Sequence, residues 1–158
     1  MRLTQFIAAT AVAGLLTGAP CAVRAADMVT TSAAVSPATV ARGGHGVLTI
    51  TLTMAPGAHV NANKLADKMF IPTTFSAAGG SGVKVGTPKY PAAHSMTTGG
   101  IKQSVYQGTA RITVPFTIAK TARAGTVNVG GMLTYQACNS AVCYPPKTVA
   151  VQSAVIIK

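Results

Sequence analysis

Leu48-Thr49-Ile50-Thr51-Leu52-Thr53-Met54 places an apolar side chain at every second position and a threonine between. Successive side chains leave a strand on opposite sides, so this period of two predicts a strand with one face buried and the other wet. The same period returns in Ile112, Val114, Phe116 and Ile118, and again in Val149, Val151, Val155 and Ile157. Val127, Val129, Leu133 and Tyr135 form a fourth strand, in which Gly130-Gly131 predicts a bulge. Pro115 stands on an outward position of its strand, which predicts a place at or near a sheet edge. Turn signals fill the gaps: Arg42-Gly43-Gly44, Ala55-Pro56-Gly57, Ala78-Gly79-Gly80 and Thr98-Gly99-Gly100. Lys64 to Lys68 allows at most one helical turn, and Thr87 to Gly100, the least patterned region, reads as a mobile loop. Many short strands with turns between them predict an all-β fold, an immunoglobulin-like antiparallel β-sandwich.

The N-terminus reads differently. Arg2, the apolar run Phe6 to Leu16 and the small residues around Val23-Arg24-Ala25 have the order of an export signal. The run is short of the roughly 20 apolar residues that cross a bilayer. Residues 1–25 are therefore expected to be a cleaved leader that carries Cys21 away, and residues 26–158 a single domain. Gly18 and Pro20 fit a lipid-attachment site before Cys21 poorly. A remainder of roughly 130 residues suffices for its own core. The expected location is periplasmic, where disulfides are permitted, and no later stretch is apolar enough to span a membrane. The chain has 13 Lys and Arg against two acids, for a formal net charge of +11. Because the bases are scattered singly and aromatics are few, a solvated basic surface is expected rather than a nucleic-acid partner.

Two cysteines remain after the leader, Cys138 and Cys143, with four residues between them. A bond between them closes a very short loop, for which loop entropy gives roughly 2 kcal/mol, against about 4.7 for a loop of about 100 residues. A bridge meant to staple a domain would join distant strands; this one is placed to be made and broken. Structural and metal-binding roles remain open from the residues alone. Zinc needs four ligands, or three and an open position, whereas His45, His59 and His94 are dispersed. Copper(I) favours thiolate and thioether ligands, and Met28, Met54, Met69, Met96 and Met132 are available, although their spacing suits core packing better. No nucleotide, haem or flavin motif is present, so no cofactor is expected.

Tyr135-Gln136-Ala137-Cys138, a short spacer, and Cys143-Tyr144-Pro145-Pro146-Lys147-Thr148 together resemble the active-site segment of the periplasmic N-terminal domain of the thiol:disulfide interchange protein family DsbD. The resemblance extends upstream to Pro56 through Lys64, Phe70 through Thr73, and Ser104 through Gly108. It implies an immunoglobulin-like domain that takes electrons from a thioredoxin-like protein or domain and passes them to periplasmic disulfide-containing proteins. Cys143 is then the residue that forms the mixed disulfide and Cys138 its intramolecular partner, the division of labour that exchange requires. Tyr135 and Tyr144 flank the pair, as packing or as a docking surface, and Pro145 stiffens the chain after Cys143. His59 and Asn61 match positions near the family's active site. A cap loop, matched by His94 to Lys102 with Met96 and Ile101 as its apolar residues, is expected over the sulfurs. Full-length family members add a membrane-spanning carrier and a thioredoxin-like domain; this chain ends at Lys158 with neither, so a donor met in trans is expected. The second reading is a binding module for copper or a protein partner, with the hairpin disulfide purely structural.

Overall fold

A computed structural model describes residues 28–80, 82–98 and 100–158. The expected leader and Cys21 lie outside the described residues. The strands are β1 (Val29–Ser36), β2 (Thr39–Val40), β3 (His45–Met54), β4 (His59–Asn61), β5 (Thr74–Ala78), β6 (Val83–Val85), β7 (His94–Thr98), β8 (Ile101–Gln107), β9 (Thr109–Ile118), β10 (Gly125–Tyr135), β11 (Ala137–Cys138) and β12 (Lys147–Ile157). They form three sheets, in the orders β1-β3-β9-β6, β2-β12-β10-β5 and β11-β4-β8-β7. Pairing is antiparallel except for β2 against β12.

The alternation seen in the sequence decides what is buried. On β3 the side chains of Leu48, Ile50 and Leu52 are fully enclosed, and on β9 so are those of Ile112, Val114 and Ile118. Val129 and Leu133 of β10, with Val151, Val155 and Ile157 of β12, close on them from the second sheet. Val60 and Tyr106 of the third sheet join the same cluster. The result is the predicted immunoglobulin-like β-sandwich, with one core and no helix long and apolar enough to cross a membrane among the described residues.

Three local expectations are corrected, while that for Pro115, a strand near a sheet edge, holds. Gly130 and Gly131 form no bulge: β10 and β12 pair one to one from Gly125↔Ile157 to Tyr135↔Lys147. The glycines serve close approach instead, since a Cβ at Gly130 would meet the Val151 carbonyl oxygen and one at Gly131 the Ser76 carbonyl oxygen. Pro115 lies on β9, an inner strand between β3 and β6. Its carbonyl accepts the Gly86 amide at 2.7 Å, and Thr113, pointing the same way, exchanges two bonds with Lys89. The missing proline N–H therefore faces the break between the end of β6 and Lys89, where no ladder bond is forfeited. The stretch read as a loop from Thr87 to Gly100 contains β7, which pairs with β8 as a hairpin through Gly100 at φ +80°. Alternation is absent there because His94, Ser95 and Thr97 are all exposed, so no face needed an apolar set. Lys64 to Lys68 makes no helix; the Asp67 Oδ1 accepts the Met69 amide at 2.8 Å in a turn.

Candidate functional site

The third sheet exists to carry one cysteine. After β3 the chain turns at Gly57, whose φ of +78° suits glycine, and enters β4. Here His59 pairs with Cys138 on one side and with Gln107 on the other. Paired residues share a face, so Cys138, His59 and Gln107 form one row. Asn61 lies two residues on from His59, and Gln136 two residues before Cys138, both on that same face.

Cys138 and Cys143 are joined, with an S–S distance of 2.02 Å and Cα atoms 4.0 Å apart. The close spacing follows from the hairpin. The Tyr144 amide donates to the Ala137 carbonyl and the Asn139 amide to the Val142 carbonyl, both at 2.9 Å. The cysteines between these bonds form a non-hydrogen-bonded pair, the position at which opposing strands approach most closely. Asn139 builds the tip: its Oδ1 accepts the amides of Ala141 and Val142, each at 2.8 Å. The two sulfurs are not equivalent. Cys138 is 0% exposed, while Cys143 is exposed beside Val142, itself 52% exposed.

Behind the pair runs a polar network. Asn61 Nδ2 donates to Gln136 Oε1 at 2.9 Å and to the Ile71 carbonyl at 3.1 Å. The Ile71 amide donates to the same Gln136 oxygen at 3.1 Å, and Gln136 Nε2 donates to the Tyr144 carbonyl at 3.2 Å. Thr73 Oγ1 donates to the Asn61 carbonyl at 2.6 Å. Asn61 is fully enclosed and its Oδ1 has no partner.

The residues expected from the sequence are thus gathered unevenly. His59 pairs with Cys138, and Asn61 lies beside Gln136, two residues before the cysteine. Tyr135 is buried in the core; burial pushes its pKa up, and it offers no docking surface. Tyr144 is half-buried, with Asn139 Nδ2 donating to its hydroxyl at 3.4 Å, and Pro145 is exposed. Met96 is drawn onto its own hairpin, its sulfur accepting from Gln107 Nε2 at 3.6 Å. Ile101 begins β8 and Gln107 ends it, roughly 20 Å apart along the strand at about 3.3 Å per residue. Through Gln107 the Met96 side chain reaches the row that holds Cys138, while Cys143 itself is exposed. Gln136 and Ile71 lie within the segments that carry the resemblance but were given no role from the sequence. The signal for Gln136 was its spacing of two from Cys138, which puts it on the cysteine's own face. No group of three or more His, Cys, Asp or Glu placed to hold a metal occurs among the described residues.

Burial pushes the His59 pKa below the ordinary histidine value of 6.5, so its imidazole is held neutral. The unfolded chain accepts a proton below that value while the folded chain resists it. Stability is therefore expected to be flat above about pH 6.5 and to fall below it, until the folded-state pKa is reached. Urea titrations between about pH 5 and 7.5 check this; His59→Phe should flatten the acid limb, and an unchanged limb would assign it to other groups.

A family model described as thiol:disulfide interchange protein DsbD, N-terminal, matches residues 25–154. Among solved structures, the N-terminal periplasmic domain of ScsB from Proteus mirabilis is similar at a TM-score of 0.57 with 14% identity, over 80% of this chain and 46% of that one. At that level the likeness is one of fold, and the chain spans about half the length of that structure. The reduced DsbD N-terminal domain of Neisseria meningitidis follows at a TM-score of 0.45 and 18% identity, over 69% of this chain and 80% of that one. No curated protein matches the chain.

Proposed function

The chain belongs to the family of DsbD N-terminal domains, and from that premise we propose that it is a periplasmic thiol–disulfide exchange protein working through Cys138 and Cys143. It accepts electrons from a thioredoxin-like donor and passes them to disulfide-containing acceptor proteins. The observation that carries this reading is the asymmetry of the pair, a reachable Cys143 bonded to an enclosed Cys138.

In the first half-reaction the donor's thiolate attacks the Cys143 sulfur in line with the bond. The Cys138–Cys143 bond breaks, and Cys138 leaves as a thiolate that takes up a proton. The donor's second thiolate then attacks the donor sulfur of the mixed disulfide, releasing Cys143. The donor ends oxidised and this chain holds two thiols, two electrons and two protons richer. With an acceptor the order reverses: Cys143 attacks, and Cys138 resolves the mixed disulfide. Attack on Cys138 is disfavoured because a protein-borne thiolate has no path to an enclosed sulfur.

His59 and Asn61 support the strand that holds Cys138, while the exposed apolar residues adjoining the pair, Val142 by chain and Ile71 through Gln136, suit contact with a partner. Mixing the oxidised chain with a reduced thioredoxin is expected to transfer two electrons per chain, read by thiol labelling and gel shift. A Cys138→Ala, Cys143→Ala double variant should transfer none. A wild-type chain that stays oxidised would favour the structural-disulfide reading.

A further inference from the structure

Opening the Cys138–Cys143 bond leaves the two arms of the hairpin joined through the four-residue tip and by two backbone hydrogen bonds, yet exchange requires that they stay in register so that one thiol can find the other. We propose that Gln136 is the positioning residue that keeps them together in the dithiol state. This inference rests on the exchange reading above.

The geometry is specific to one side chain. Gln136 precedes Cys138 by two residues, and its Nε2 donates at 3.2 Å to the carbonyl of Tyr144, the residue after Cys143. One amide thus spans both arms. Its orientation is not free to reverse, because Oε1 accepts both the Asn61 side-chain amide at 2.9 Å and the Ile71 backbone amide at 3.1 Å. With the oxygen claimed by two donors, the NH₂ group is left facing the Tyr144 carbonyl. Asn61 is itself fixed, being fully enclosed and also bonded to the Ile71 carbonyl at 3.1 Å. None of these bonds involves a sulfur, so each persists when the disulfide is reduced.

The consequence is energetic and concerns a difference between redox states. The disulfide and the clamp hold the same two arms, so each makes the other easier to form. The clamp therefore contributes more to the oxidised form, whose arms are already aligned, than to the dithiol form, which has to order them. In the dithiol form the short tip and the non-covalent bonds across it hold the arms, and each such bond that stays raises the effective concentration of one thiol at the other. A higher effective concentration favours the disulfide and speeds resolution of a mixed disulfide. The equilibrium is disulfide plus two glutathione thiols giving two cysteine thiols plus glutathione disulfide. One S–S bond breaks and one forms, and two electrons and two protons move to the protein.

Gln136→Met keeps the length of the side chain and deletes both the donor and the acceptor. It should shift this equilibrium about tenfold toward the dithiol, a potential about 30 mV less negative. Gln136→Glu keeps an acceptor for Asn61 and Ile71 but loses the donor to Tyr144, and should shift it in the same direction. That second variant serves if the first does not fold. A merely structural role would destabilise both redox forms alike and leave the equilibrium where it was. An equilibrium constant within twofold of wild type in the variants that fold overturns the inference, whatever happens to their melting. The comparison is a ratio of variant to wild type, so it is read even if the wild-type pair fails to exchange with a thioredoxin. In that case the exchange reading falls separately.

Discussion

Cys143→Ser is expected to abolish capture of a thioredoxin-like partner, while Cys138→Ser is expected to trap that partner as a stable mixed disulfide. The prediction follows from access and from the two-step chemistry. In Cys138→Ser the remaining sulfur is the exposed one, so a partner's disulfide is attacked by Cys143 and no neighbouring thiol is left to resolve the product. In Cys143→Ser the remaining sulfur is Cys138, 0% exposed and set in a row behind His59. No protein-sized partner reaches it. Non-reducing gels of the two variants, each mixed with a thioredoxin whose resolving cysteine is replaced and whose remaining cysteine carries a 2-nitro-5-thiobenzoate group that leaves on attack, give the answer in a single experiment. A trapped band with Cys143→Ser, and none with Cys138→Ser, would reverse the roles.

Gly131→Val is expected to cost more stability than breaking the disulfide does. A Cβ at this position would run into the Ser76 carbonyl oxygen, with Ala77 Cα and the Phe75 ring each at 2.9 Å. Backbone of a paired strand cannot swing aside, so β5 must separate from β10, with a penalty of about 3 kcal/mol or more. Opening the short Cys138–Cys143 loop removes roughly 2 kcal/mol, which a domain of about 5–15 kcal/mol survives folded. Urea melts of the oxidised, the reduced and the Gly131→Val protein, followed by circular dichroism, put the two losses on one scale. The reduced protein should melt slightly earlier and the variant much earlier. Unfolding on mild reduction would make the bridge a staple rather than a reacting bond.

The sandwich was legible because its core strands obey one rule. Leu48, Ile50 and Leu52, or Ile112, Val114 and Phe116, face inward because burying one face of a strand selects every second residue. The rule goes silent where neither face is buried, which is why the β7 strand of His94, Ser95 and Thr97 passed for a loop. It also goes silent where a residue answers to its neighbours across the sheet. Pro115 and the Gly130-Gly131 pair have meanings set by β6, β5 and β12, and those partners cannot be read from positions along the chain. At the site the cysteines and their segment were legible as a motif, and His59 and Asn61 through the resemblance. What escaped was Gln136, whose contacts reach Asn61 and Ile71 from a distant part of the chain. Hydrogen bonds between remote segments leave no periodic trace. The exposure of Cys143 likewise depends on how the hairpin around it is packed, not on which residues it contains.

The most direct test of the central claim is the reduction potential of the Cys138–Cys143 pair, obtained by equilibrating the folded chain with glutathione and its disulfide and counting free thiols at each ratio. Proteins that exchange disulfides have potentials from about −120 to −270 mV, whereas structural bridges lie below about −300 mV. A pair that is reduced and reoxidised within the exchange range, with the sandwich intact throughout, is the result predicted here; a potential below about −300 mV would contradict it.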